Sequence, residues 1–168
     1  MPSLTVWLYP TAFGAESGEL HLRSLVERDA IRVHDAATII WMPHDAEPLV
    51  RPVDRRTLKS AGRGAVVGAL VGLVILNPVA GAAVGAGAGA AIRKARSAGI
   101  DEEFVSSIRA KVTPGTSALL VLSSDADPVA VGEVVRNSEA VLLQAELTPE
   151  GRRILEEIGL AAPGEDES

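Results

Sequence analysis

Apolar positions along the chain fall into short runs, broken by turn residues. Leu4-Thr5-Val6-Trp7-Leu8-Tyr9 is rich in β-branched and aromatic residues and predicts a first strand that ends at Pro10. Pro10 to Gly18 then reads as a connecting loop, because glycine and proline punctuate it. Leu20, Leu22, Leu25 and Val26 alternate with Glu19, Arg23, Glu27 and Arg28 at helical spacing. Ala36 to Met42 predicts a second strand centred on Ile39, Ile40 and Trp41, and Pro43-His44-Asp45-Ala46 a turn. Leu49, Val50 and Val53 predict a short third strand, which Pro48 and Pro52 assign to a sheet edge.

The pattern resumes near residue 100. Asp101 is placed to cap a helix running to Lys111, with Glu102 and Glu103 in the first turn, where the helix dipole favours negative charge. Thr113-Pro114-Gly115-Thr116 is a turn, and Ala118-Leu119-Leu120-Val121-Leu122 a buried strand. Asp127-Pro128 opens another helix, with proline at its first position. Ala140 to Leu147 reads as a further strand, and Thr148-Pro149-Glu150 starts a last helix that ends near Gly159. The order is β-α-β-β followed by α-β-α-β-α. Its two β-α-β units predict an α+β fold, a ferredoxin-like sandwich with an extra edge strand and a terminal helix. This domain is discontinuous, 1–53 and 99–160. Residues 54–98 are inserted in it, and 161–168 form an acidic tail expected to be disordered.

The insert breaks every pattern around it. Arg55, Arg56, Lys59 and Arg63 precede it, charge then vanishes from Gly64 to Ile92, and Arg93, Lys94 and Arg96 follow. The charge-free stretch holds seven glycines and nine alanines. Its large side chains gather early, at Val66, Val67, Leu70, Val71, Leu73, Val74, Ile75 and Leu76. Gly64, Gly68 and Gly72 form one run at four-residue spacing, and Gly81, Gly85 and Gly89 a second. Residues four apart share a helix face, so each run predicts a smooth groove that another backbone can approach closely. Asn77-Pro78 divides the runs, and proline disfavours helix at the residue before it, so the chain is expected to turn there. The expected object is a glycine-zipper helical hairpin.

Length limits what such a hairpin can do in a membrane. Each arm of about 13 residues gives about 20 Å of helix, short of the roughly 30 Å hydrocarbon core. A re-entrant or interfacial hairpin fits better than two spans, with both basic flanks on one side. There Arg55, Arg56, Lys59, Arg63, Arg93, Lys94 and Arg96 would meet anionic headgroups, and ordinary solvated helix ends are the alternative. A flexible linker is disfavoured by eight bulky aliphatics in one arm. A nucleotide-binding loop is disfavoured because Gly85-Ala86-Gly87-Ala88-Gly89 lacks the fingerprint spacing and no Gly-Lys-Ser/Thr follows.

Together these features resemble the domain of unknown function 1269 family of bacterial proteins. The resemblance rests on the N-terminal strand-helix-strand, the Gly64 to Gly89 zipper after a basic stretch, Gly99-Ile100-Asp101-Glu102-Glu103-Phe104, and Pro114-Gly115-Thr116-Ser117-Ala118-Leu119 leading into a strand. Members are commonly described as predicted membrane proteins. The resemblance implies membrane association and supplies no catalytic residues.

Composition narrows the chemistry. Hydrophobic residues make up 47% but aromatics only 3%, so the core must be aliphatic. A net charge of −6 gives no bulk attraction to nucleic acid. Without cysteine there is no disulfide, thiolate metal site or cysteine nucleophile. The N-terminus lacks the basic region of a signal peptide. His21, His34 and His44 lack metal-ligand spacing and are expected as surface turn histidines. Ser123-Ser124-Asp125 lacks nucleophile-elbow glycines and reads as a strand-end turn. Trp7 and Trp41 are expected in strands, packed in the core. No enzyme activity, cofactor or metal is expected.

The function expected is that of a non-enzymatic protein at the cytoplasmic face of the bacterial inner membrane, whose hairpin enters or lies on the bilayer and self-associates. Its partners would be other copies of itself and anionic lipid. The alternative is a soluble cytoplasmic homo-oligomer in which hairpins bury one another.

Overall fold

A computed structural model describes residues 3–53, 100–149 and 153. Eight elements follow in the order β1 (Ser3–Tyr9), α1 (Gly14–Glu27), β2 (Arg32–Ile40), β3 (Leu49–Pro52), α2 (Glu102–Lys111), β4 (Ser117–Ser124), α3 (Pro128–Arg136) and β5 (Val141–Glu146). The five strands form one sheet, in the order β3-β2-β4-β1-β5, and every neighbouring pair is antiparallel. The fold is mixed α+β. Pro149 and Arg153 are helical, in line with a helix starting after β5.

Strand alternation divides the core between two faces. On the first face, Trp7, Tyr9, Val33, Ala36, Leu119 and Val121 pack against Leu22, Leu25 and Val26 of α1, with Val131 and Val134 of α3 alongside. On the second, Val6, Leu8, Ala37, Ile39, Ala118 and Leu120 pack against Ile108 and Val112, with Phe104 and Val105 of α2 alongside. The central strands are therefore apolar on both faces, and the described structure has three layers, helix-sheet-helix.

Two boundaries differ from the sequence pattern. Gly14 to Gly18 is the first turn of α1 rather than loop. A Cβ on Gly14 would lie 2.5 Å from Tyr9 Cβ, and one on Gly18 would fall onto the Tyr9 hydroxyl. The helix runs so close to the sheet here that only glycine fits over the aromatic ring. β2 begins at Arg32 rather than Ala36, because an irregularity between Val33 and Asp35 shifts the register against β4 and breaks the alternation. Trp41 lies just beyond β2 and is half-buried, while Trp7 is fully enclosed.

The caps stand where their residues suggest. The Asp101 carboxylate accepts the Phe104 N–H at 2.7 Å. Asp127 accepts those of Val129 at 2.9 Å and Ala130 at 3.3 Å, with Pro128 first in α3. At the end of α1, Asp29 takes a left-handed conformation (φ 54°), and the Asp29 and Ala30 N–H groups return to the Val26 and Leu25 carbonyls.

Candidate functional site

Among the residues described, the part closest to the inserted segment is its root, where the chain leaves after Val53 and returns at Ile100. β3 is an edge strand with all four residues exposed, paired to β2 from Ile40↔Leu49 to Ala37↔Pro52. An exposed four-residue edge strand holds itself poorly. Two contacts compensate. The Val53 N–H donates to the Ala36 carbonyl at 3.0 Å, and the Val53 side chain is buried against the first-face core. The Glu19 carboxylate on α1 accepts Thr38 Oγ1 at 2.5 Å and Arg51 Nη2 at 2.8 Å. Thr38 on β2 is fully buried, so its hydroxyl needs this acceptor. Glu19 thus ties α1, β2 and β3 together beside the departing chain.

The return is equally anchored. Ile100 is 2% exposed, and the Asp101 cap follows it directly. α2 carries Glu102 and Glu103 in its first turn and Arg109 and Lys111 in its last, an order that suits the helix dipole. The insert is thus held at both ends by buried apolar residues with hydrogen-bonded structure beside them.

The residues singled out within the insert lie outside those described. These are the glycines Gly64, Gly68, Gly72, Gly81, Gly85 and Gly89, the turn Asn77-Pro78, and the flanking cations Arg55, Arg56, Lys59, Arg63, Arg93, Lys94 and Arg96. The Glu19–Thr38–Arg51 contact was not legible in sequence, since its members belong to three separate elements. The one available signal was Glu19 bordering the apolar stripe of α1.

The histidines are not all turn residues. His44 is exposed in the turn after β2, but His21 lies on α1 with its Nδ1 buried, and His34 lies on β2 at the irregularity. His34 Nε2 is 2.9 Å from Ser124 Oγ, and Ser124 Oγ is 3.5 Å from Asp125 Oδ2. Asp125 also meets Arg32 at 3.6 Å across an exposed gap. The first contact joins the ends of β2 and β4. An exposed ion pair of this length contributes little. Asp35 is buried, and one carboxylate oxygen accepts its neighbour Ala36 N–H at 2.9 Å. Among the described residues, no group of three or more His, Asp or Glu side chains could hold a metal ion, and no helix is long and apolar enough to cross a membrane.

The ionisation of Tyr9 is perturbed by its surroundings. Burial under α1 disfavours its phenolate and raises its pKa to about 12.

A family model described as "Protein of unknown function (DUF1269)" matches residues 61–158, more than half of the chain. The match covers most of the inserted segment and continues through α2, β4, α3 and β5. No curated protein and no solved structure matches.

Proposed function

The chain belongs to the DUF1269 family of proteins of unknown function, and from this premise we propose that it is a non-enzymatic membrane-associated protein whose glycine-rich insert enters or lies on the bilayer and self-associates there. The observation that carries the reading is the charge-free stretch from Gly64 to Ile92, set between Arg55, Arg56, Lys59 and Arg63 on one side and Arg93, Lys94 and Arg96 on the other. As a re-entrant glycine-zipper hairpin turning at Asn77-Pro78, it keeps both basic flanks at one headgroup layer, on the cytoplasmic face of a bacterial inner membrane. Gly64, Gly68, Gly72, Gly81, Gly85 and Gly89 are its packing faces toward other copies. The anchored root supports the reading, because a hairpin tethered through Val53 and Ile100 couples the α+β domain to whatever the hairpin packs against. We read β2-β4-β1-β5 with α1 and α3 on one face as a ferredoxin-like core, to which β3 and α2 are added.

Carbonate-washed membrane fractions of cells expressing the full chain test the proposal. Retention in the washed membrane is expected, and recovery of the whole population in the supernatant refutes it. A second reading, a water-soluble homo-oligomer with mutually buried hairpins, is favoured by the short arms and the few large side chains of the second arm. Mass measurement without detergent separates the two, since only the second predicts a discrete assembly in water. A Gly68→Leu, Gly85→Leu double substitution should disrupt self-association in either case.

A further inference from the structure

The two edges of the sheet are built differently. An edge strand presents a row of unpaired backbone N–H and C=O groups, and proteins blunt such rows with short strands, prolines, cations or bulges. β3 is blunted in this way. It is four residues long, contains Arg51 and Pro52, and follows Pro48. β5 carries none of these devices. It is six residues long, Val-Leu-Leu-Gln-Ala-Glu, without proline or cation. It pairs with β1 in unbroken register from Leu8↔Val141 to Ser3↔Glu146, and among the described residues β1 is its one hydrogen-bonded neighbour. The corner of the domain around β5 is also thinly enclosed. Val141 is 51% exposed, and Val129 at the start of α3 is 66% exposed. Neither α3 nor β5 fully buries any residue, although Val131, Val134, Leu142 and Leu143 all lie against the core.

We propose that β5 is the docking edge for a second copy of this chain, the two β5 strands pairing antiparallel across a two-fold axis so that two five-stranded sheets become one. Symmetry argues for this occupant. Self-pairing of an edge strand about a two-fold axis is antiparallel, which continues the pattern of every other pair in the sheet. The assembly also closes at two copies, because the edge left at each end is the blunted β3. Charge argues the same way. Glu146 is the one charged residue of β5. Antiparallel pairing about an axis inside the strand sends the two Glu146 carboxylates to opposite ends, whereas an in-register parallel partner would set them side by side. Leu142 belongs to the first face and Leu143 to the second, so pairing extends both apolar faces of the sheet past its present border. Each copy brings a strand already ordered against β1, so association fixes little further backbone. This interface is separate from the insert and rests neither on the membrane reading nor on the glycine faces.

Spin labels on β5 read the pairing directly, because its side chains point to the sheet faces and leave the edge free. The chain has no cysteine, so Val141→Cys, Gln144→Cys and Glu146→Cys, all at exposed positions, each give one nitroxide site in the full chain. A parallel series carries Gly68→Leu and Gly85→Leu, to separate any association through the insert. Dipolar spectroscopy then measures the distance between the same position in two copies. Across a two-fold axis between antiparallel strands, that distance grows by about 7 Å for each residue away from the axis. With the axis inside β5, no position exceeds about 35 Å. The expected result is a dimer mass, distances that change along the strand by this step, and the same distances in the doubly substituted series. Equal distances at all three positions mean parallel pairing and overturn the proposal. Distances beyond the limit place the contact elsewhere and also overturn it. A monomer without dipolar signal leaves the edge to another occupant, an extended peptide or a further segment of the chain, with the same consequence. A signal that vanishes in the doubly substituted series shows that the insert holds the copies together and β5 does not.

Discussion

Tyr9 is the only tyrosine in the chain, so its ionisation can be read without interference from another phenol. Its side chain lies between the sheet and α1, 5% exposed, beneath Gly14 and Gly18, and among the described residues its hydroxyl has no hydrogen-bond partner. Burial raises its pKa from 10.0 to about 12. An acid that holds its proton more tightly when folded stabilises the fold at every pH below the unfolded pKa. That contribution is lost as pH rises from the unfolded value through the folded one. By linkage the loss is about 1 kcal/mol midway through this window and about 2 to 3 kcal/mol above it. Phenolate absorbance titrated over short times should show a midpoint near 12 for folded protein and near 10 in denaturant, as burial requires. Denaturant unfolding at a series of alkaline pH values should show stability falling across the same window. Tyr9→Phe should remove that component of the pH dependence and, by deleting a buried unpaired hydroxyl, raise neutral-pH stability by about 1 kcal/mol. An ordinary phenol midpoint in protein that retains its near-ultraviolet circular dichroism would refute the reasoning.

Three further outcomes follow from the same geometry. Gly14→Ala should destabilise the fold by about 1 to 3 kcal/mol in denaturant melts, because the new methyl overlaps Tyr9 Cβ rather than a yielding side-chain tip. Glu19→Ala should cost about 1 to 3 kcal/mol by orphaning the Thr38 hydroxyl, whereas Arg51→Ala, whose side chain is half exposed, should cost under about 1 kcal/mol; equal losses would contradict the burial argument. Asp127→Ala should cost about 1 kcal/mol and speed amide exchange at Val129 and Ala130, the two N–H groups the carboxylate accepts.

Much of the fold was legible because local signals agreed with it. The runs in β1, β4 and β5, the edge prolines of β3 and the two aspartate caps each carried their own cause, and the element order followed. The misplacements have physical reasons. Gly14 and Gly18 read as loop because glycine is a poor helix former, but the close approach of α1 to Tyr9 requires the missing side chains, and tertiary contact overrides propensity. The start of β2 was hidden because His34-Asp35 interrupts the apolar run at the irregularity, so the continuous apolar run appears only from Ala36. Glu19, Thr38 and Arg51 are separated by 19 and 13 positions, and no local pattern joins residues that meet only after the sheet has formed.

The root of the insert gives the two readings of the hairpin a common requirement. A segment that enters a bilayer or meets other copies must keep its register to the domain, or its apolar face points into water. Val53 and Ile100 supply that register: one is hydrogen-bonded to β2 and buried on the first face, the other is buried beside a capped helix on the second. The Glu19 contact stiffens the strand that carries Val53. Loosening it should free the edge strand, speeding amide exchange at Val53, whose N–H donates to the Ala36 carbonyl, more than an equally destabilising change elsewhere. Asp127→Ala is the control, since the α3 cap belongs to none of the three elements that Glu19 joins. If Glu19→Ala leaves the Val53 exchange unchanged after correction for stability, the Glu19 contact does not hold the strand from which the insert departs.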